Sequence, residues 1–405
     1  MHETRIRPAG ILRPQRSSTP RGQPGDDAGG FRAPLSVDGR GDLRPLVARM
    51  DGVVSAAGIA EPRAGTVPGG RQRASGAGRA DGRLVGAPCG DEPGCGPRFD
   101  QPVAPGGYAW WYVDALSDDG HHGLTLIAFL GSVFSPYYAR ARRQGAGDPF
   151  NHCALNVALY GRAGKRWALT ERGRASLQRT RSSLTIGPSS LTWDGSALTV
   201  EIDETTAPLP SRIRGVVRLH PAALSPREFV LDAEGRHRWQ PIAPCARVEV
   251  ALERPALSWS GAGYLDRNAG DAPLENAFAS WDWSRASVGR DTAVLYDVVR
   301  HGGERMSLAC RFDPSGGVHD FAPPPRVSLP RTRWRVARGT RADDGHRATV
   351  RQTLEDAPFY ARSILSSHLL GHAVQAVHES LSLDRFGRAW VQMLLPFRMP
   401  RLARR

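Results

Sequence analysis

Between Gly261 and Asp271 the sequence reads GAGYLDRNAGD, which sets a phenol, a carboxyl and an amide among three glycines. Tyr264, Asp266 and Asn268 alternate at period two, so in extended chain all three point to one face and Leu265 and Arg267 to the other. One face thereby gathers groups that can hydrogen-bond around a single carboxyl. A carboxyl walled by apolar groups keeps its proton and can act as an acid. The plainer reading is a polar strand end in which Asp266 only forms a turn. A few residues on, WDWSR places Trp281 and Trp283 on a shared face and turns Asp282 away from them. Asp271 and Asp282 are therefore carboxyls of second rank, with Arg285 a partner for either.

The elements that must carry these groups are strands. Tyr108–Asp114 and Leu124–Leu130 are aromatic and branched runs separated by SDDGHHG, a hairpin connection. Similar runs recur at Cys153–Tyr160, Arg166–Glu171, Ser182–Ile186, Leu191–Asp194, Ala197–Asp203 and Gly215–Leu219. After a proline-rich stretch at Pro241–Pro244 they resume at Arg247–Leu252, Leu257–Gly261, Phe278–Trp283, Ala293–Val299, Met306–Phe312 and Arg347–Leu354. Strands spaced in this way, with few credible helices, predict an all-β protein. Ser366–Glu379 is the stretch that could form a short helix instead. So many strands predict two barrel-like halves, 95–240 and 241–405, the second carrying Asp266. Residues 1–92 are rich in Arg, Gly, Ala, Pro and Asp without sustained periodicity. They are expected to be a disordered extension, with Met50 a later point of initiation.

Composition narrows the function. The chain has 405 residues and a formal net charge of +14, carried almost wholly by arginine, since Lys165 is the only lysine. The arginines are dispersed among acids, and no helix-turn-helix, RNP or zinc-finger pattern occurs, so no nucleic-acid partner is expected. Attraction to anionic lipid headgroups fits the charge. The five cysteines are odd in number and widely spaced, which predicts reduced thiols in the cytoplasm. His121 and His122 lack a third ligand in metal spacing, so no metal site is expected. No apolar run is long enough to span a bilayer, and the start lacks a secretory core.

Taken with GRHRWQPIAP at Gly235–Pro244, WDWSR, and the closing VHESLSLDRF and WVQMLLPFRMPR, the GAGYLDRNAGD stretch resembles the carotenoid 1,2-hydratases, the hydroxyneurosporene synthases of purple photosynthetic bacteria. The resemblance runs from about residue 95 to the C-terminus. It implies a lipocalin-like, two-part β architecture, no cofactor, and addition of water across the terminal C1=C2 bond of acyclic carotenoids such as neurosporene or lycopene. Residues implicated in that family's catalysis match here as His237 and Trp239 in GRHRWQ and as Tyr264 and Asp266 in GYLDRN.

The chemistry so implied needs a strong, positioned acid and a site that tolerates a tertiary cation. Asp266 is the candidate acid, with Tyr264 and Asn268 orienting it. Trp239, Trp281 and Trp283 can offer indole faces to the cation, worth roughly 2 kcal/mol when desolvated. His237 can hold the attacking water or return a proton to Asp266. Two rivals compete with a hydratase: a non-catalytic lipocalin-like carrier of carotenoids or other isoprenoids, and a carbohydrate-active protein pairing Asp266 with Asp271 or Asp282. A water-insoluble substrate comes from a bilayer, so peripheral association with the cytoplasmic side of the membrane is expected, with VQMLLPFRMPRLARR as the contact.

Overall fold

Asp266 lies on a 14-residue strand, Leu257–Gly270, that runs straight through the glycine-rich motif. In the computed structural model, which describes residues 96–161 and 164–402, this strand pairs antiparallel with Tyr108–Ser117 on one side and His237–Arg254 on the other. Its glycines serve close approach, not a turn. A Cβ on Gly270 would fall 2.5 Å from the Tyr108 ring and 2.7 Å from His237 Nδ1, and one on Gly261 would strike the Leu116 carbonyl. Residues 1–92, expected to be a disordered extension, lie outside the described residues.

The three central strands belong to a 14-stranded sheet that continues outward through His122–Leu130 and Cys153–Gly161 in one direction and Arg212–Pro221 and Leu198–Thr205 in the other. A 7-stranded sheet follows, with Phe278–Val288 at its centre between Asp291–Arg300 and His372–Ser382. The all-β class is as expected. Neither sheet is closed into a ring by strand pairing among the described residues, so the two halves are open sheets in place of barrels.

The expected division at 240/241 lies inside one continuous strand, His237–Arg254. Pro241 and Pro244 are accommodated at register shifts between Pro241, Ala243 and Ala246, where a missing N–H costs the ladder least. The change of sheet comes later, between Gly270 and Phe278. Ser366–Glu379 is not helical: it belongs to the hairpin of Tyr360–Leu369 and His372–Ser382. Helices that the strand pattern did not anticipate are Pro136–Arg143, capped by Ser135, and the short Ala389–Leu394.

Period-two alternation sorts the side chains into layers. From Tyr108–Ser117, Trp111, Val113 and Ala115 enter one core with Leu124, Leu155, Leu198 and Leu265. Tyr108, Trp110 and Tyr112 point the other way, into a second core with Trp239, Tyr264, Trp281, Trp283 and Tyr296. That second core lies between the two sheets, and Asp266 lies in it.

Candidate active site

Asp266 is 3% exposed. Its Oδ2 accepts hydrogen bonds from Trp239 Nε1 at 2.8 Å and from the Tyr264 hydroxyl at 2.9 Å. Oδ1 has the Asn268 amide at 3.5 Å, and Asn268 in turn accepts from the Tyr296 hydroxyl at 3.3 Å. Burial pushes the carboxyl up to about 7, although the bonds from Trp239 and Tyr264 pull the other way. The charges of Glu379 and Asp114 add to the rise. Because two donors already occupy Oδ2, the proton of the neutral acid belongs on Oδ1. Four of the residues that the sequence singled out therefore form one bonded group: Trp239, Tyr264, Asp266 and Asn268.

His237 stands apart from it. On the ladder it opposes Gly270, four residues beyond Asp266 and about 13 Å along the strand. Its Nδ1 shares a 2.9 Å hydrogen bond with the Tyr108 hydroxyl, and its backbone N–H donates to Asp232. Burial lowers its pKa, so the ring is neutral. Nε2 is buried and has no partner among the described protein atoms. Direct proton return from His237 to Asp266 does not fit this spacing.

Trp281 and Trp283 share a face, as their alternation requires, and Asp282 lies on the opposite one. Asp282 accepts from Arg326, Ser380 and the Gly339 N–H, and burial raises it to about 6. Asp271 binds Arg238 at 3.1 Å. Neither carboxyl converges with Asp266, which removes the glycosidase pairs. Arg285 binds neither of them; it donates to Asp114 at 2.8 Å.

A cavity of about 400 Å³ opens beside this core. Trp110, Tyr112, Phe129, Trp281, Tyr360 and Glu379 line its inner part, while Trp334, Leu394 and Phe397 at its mouth are 41–70% exposed. Trp281 is the one residue of the predicted set that lines it. Asp266 does not line it; its ladder partner Tyr112 does, in a shell in which the Tyr112, Tyr264 and Trp283 rings sit 5.4–6.3 Å apart.

Sequence reasoning missed a chain of buried charges here. Glu379 accepts from the Tyr112 hydroxyl at 2.8 Å and is ion-paired with Arg362. Arg362, fully buried, also pairs with Asp114, which pairs with Arg285. Two negative and two positive charges alternate, so the network is neutral, the condition under which buried ions are tolerated. The signal was present: Asp114 ends an every-second-residue aromatic run, and Glu379 is flanked at two residues on each side by Val377 and Leu381. A charge at such a position faces a core. Among the described residues no group of His, Cys, Asp and Glu is arranged to hold a metal ion.

Comparison with known proteins finds relatives over most of the chain. The acyclic carotenoid 1,2-hydratase of Thiocapsa roseopersicina is 58% identical over 403 residues, covering 98% of this chain and all of that protein. The enzyme of the same name from Rubrivivax gelatinosus is 53% identical over 396 residues, 97% of each chain. The solved structure of kievitone hydratase from Nectria haematococca aligns with a TM-score of 0.44 at 10% identity, over 70% of this chain and 92% of that one. Residues 126–405 match the family model for carotenoid hydratase CrtC, and the chain belongs to that family.

Proposed function

We propose that this protein adds water across the terminal C1=C2 double bond of an acyclic carotenoid, without a cofactor, giving the tertiary 1-hydroxy product. The observation that carries the reading is Asp266: a buried carboxyl with a pKa of about 7, set among aromatic rings beside an apolar cavity, in a chain 58% identical to an acyclic carotenoid 1,2-hydratase. An acid that keeps its proton near neutral pH is what protonation of an unactivated alkene requires.

In this mechanism the hydrocarbon end enters the cavity and Trp281 or Tyr112 yields to bring C2 to Asp266 Oδ1. The acid proton forms the new C2–H bond with the alkene π pair, leaving a tertiary cation at C1 and a carboxylate on Asp266. Trp239 and Tyr264, already donating to Oδ2, stabilise that carboxylate. Rings of Trp281, Trp283 and Tyr296 surround the cation. Water adds at C1 and releases a proton, and the preference for C1 follows from the stability of the tertiary cation. The test is hydration of lycopene or neurosporene by the wild type against a folded Asp266→Asn variant.

The same reading places the protein at a membrane surface, on the cytoplasmic side. Trp390, Met393, Leu394 and Phe397 on the C-terminal helical segment are exposed beside the cavity mouth, and Trp334 stacks on Trp390. Arg385 lies over the Trp390 ring and Arg388 is exposed next to it. Apolar rings bordered by arginines suit insertion at a headgroup boundary, with the mouth opening to the acyl chains. Unpaired thiols at Cys153, Cys245 and Cys310 support the cytoplasmic side. Among the described residues no helix is long and apolar enough to cross a membrane.

A further inference from the structure

Asp266 supplies one proton, but hydration also has to remove one, because the water that captures C1 must lose a proton to become the alcohol. Three carboxyl side chains line the cavity: Glu355, Asp356 and Glu379. Glu355 is tied by Lys165 and Arg398, and Arg398 lies beside Phe397 at the mouth. Asp356 accepts the Arg333 backbone N–H at 2.8 Å. Glu379 is bonded to Tyr112, the cavity-lining residue that pairs with Asp266 across the ladder, and it stands opposite Trp283 on its own sheet.

We propose that Glu379 is a second catalytic residue, the base that orients the attacking water and takes its proton as the C1–O bond forms. The inference rests on the hydration reading above. Glu379 is held for that work. The Tyr112 hydroxyl and Arg362 both donate to Oε1, and the Tyr360 phenol borders the same carboxylate. Arg362 is fixed in turn by Asp114, and Asp114 by Arg285, so the carboxylate cannot swing away without opening a four-membered buried network. Two carboxyls of different environment on the two sides of one aromatic wall are the arrangement that divides acid from base. Glu379 is also near enough to Asp266 for its negative charge to favour the protonated acid there.

The protons balance. Asp266 begins neutral and ends as carboxylate; Glu379 begins as carboxylate and ends neutral. Water contributes its hydroxyl to C1 and one proton to Glu379. Transfer of that proton to Asp266 through solvent restores both groups, and the net reaction is alkene plus water to alcohol.

The test separates the two roles by isotope. Full-length wild type, Glu379→Gln and Asp266→Asn are incubated with lycopene in detergent micelles made in D2O, and both hydrate and recovered substrate are analysed by mass spectrometry. Glu379→Gln is expected to lose at least 100-fold in hydrate yet to return substrate carrying deuterium at C2, because the cation still forms, turns about its C2–C3 bond and loses the original C2 hydrogen to the Asp266 carboxylate. Asp266→Asn is expected to give neither. Hydration by Glu379→Gln at the wild-type rate would overturn the proposal. So would a folded, carotenoid-binding Glu379→Gln that exchanges no deuterium, since Glu379 would then be needed for protonation. If that variant does not fold, Glu379→Asp, which keeps the charge facing Arg362, decides in its place. Reduced hydration with exchange retained supports the base, and hydration and exchange falling in parallel overturns it. Absence of hydrate from the wild type itself would instead defeat the hydration reading.

Discussion

Tyr112 and Asp266 are direct partners across one antiparallel ladder, yet the Tyr112 hydroxyl turns to Glu379 while Asp266 takes its donors from Trp239 and Tyr264. These two tyrosines, one opposite the acid and one on its own strand, therefore serve different carboxyls, and their phenylalanine variants should differ in kind. Activity requires protonated Asp266, so kcat/KM falls as pH rises through the pKa of about 7. Tyr264→Phe removes a donor that favours the carboxylate. The pKa then rises, and the alkaline limb moves to higher pH by roughly one unit. Tyr112→Phe should leave that limb in place while lowering the rate roughly tenfold through a less firmly held Glu379. A pH profile of kcat/KM for both variants checks the pair.

The same carboxyl weakens the fold as pH rises. Its pKa is about 7 in the folded chain against about 3.9 unfolded, so the unfolded state releases the proton first. Below pH 4 both states are protonated and nothing is lost. Stability then declines until pH passes the folded value, by up to about 4 kcal/mol. Asp266→Asn carries no titration. Its melting temperature should exceed that of the wild type by a margin that widens from pH 4 to pH 7 and is level above. Calorimetry across that range is the check, and a constant margin would contradict the burial argument.

Arg362 is the pivot of the buried charges, meeting both Asp114 and Glu379 with no exposure of its own. Arg362→Leu leaves Asp114 with Arg285 as its cation and takes from Glu379 the cation it is paired with. The expected cost is about 3–5 kcal/mol of unfolding free energy, the range for breaking a buried ion pair from one side. Urea denaturation measures it. A loss below about 1 kcal/mol would mean that the network is hydrated and worth no more than a surface pair.

Beside the cavity mouth, Phe397 is 70% and Trp390 41% exposed. Replacing both by serine should reduce partitioning onto vesicles containing anionic lipid at least tenfold while leaving the melting temperature nearly unchanged. High salt should weaken the arginine contribution and spare the aromatic one. Unchanged partitioning of the double variant would count against docking through this rim.

The alternation of Tyr264, Asp266 and Asn268 was legible in the sequence because period two in a strand is a local property, and the three do meet around one carboxyl. So was the parting of Asp282 from Trp281 and Trp283. The full length of the acid strand was not legible. Nor does the sequence say why Gly261, Gly263 and Gly270 stand there, because the crowding that demands them comes from Leu116, Val248, Tyr108 and His237 on neighbouring strands. Pro241 read as a boundary for a similar reason, since its bulge is set by the register with Ala243 and Ala246. Arg362 and Glu379 face each other across one hairpin, but Asp114 comes from the other sheet, and only the packing of one sheet on the other makes it their partner. Likewise the shell that separates Asp266 from the cavity is built by rings from both sheets, which no single motif contains.

The central claim is that Asp266 protonates the terminal alkene. Purified protein without added cofactor is supplied with lycopene or neurosporene in micelles, and 1-hydroxy product is followed for wild type and Asp266→Asn. The account predicts product from the wild type and a loss of 100-fold or more in a variant that is folded and still binds carotenoid. Equal rates from the two would contradict it, and carotenoid bound by the wild type without any product would show a carrier instead of a hydratase.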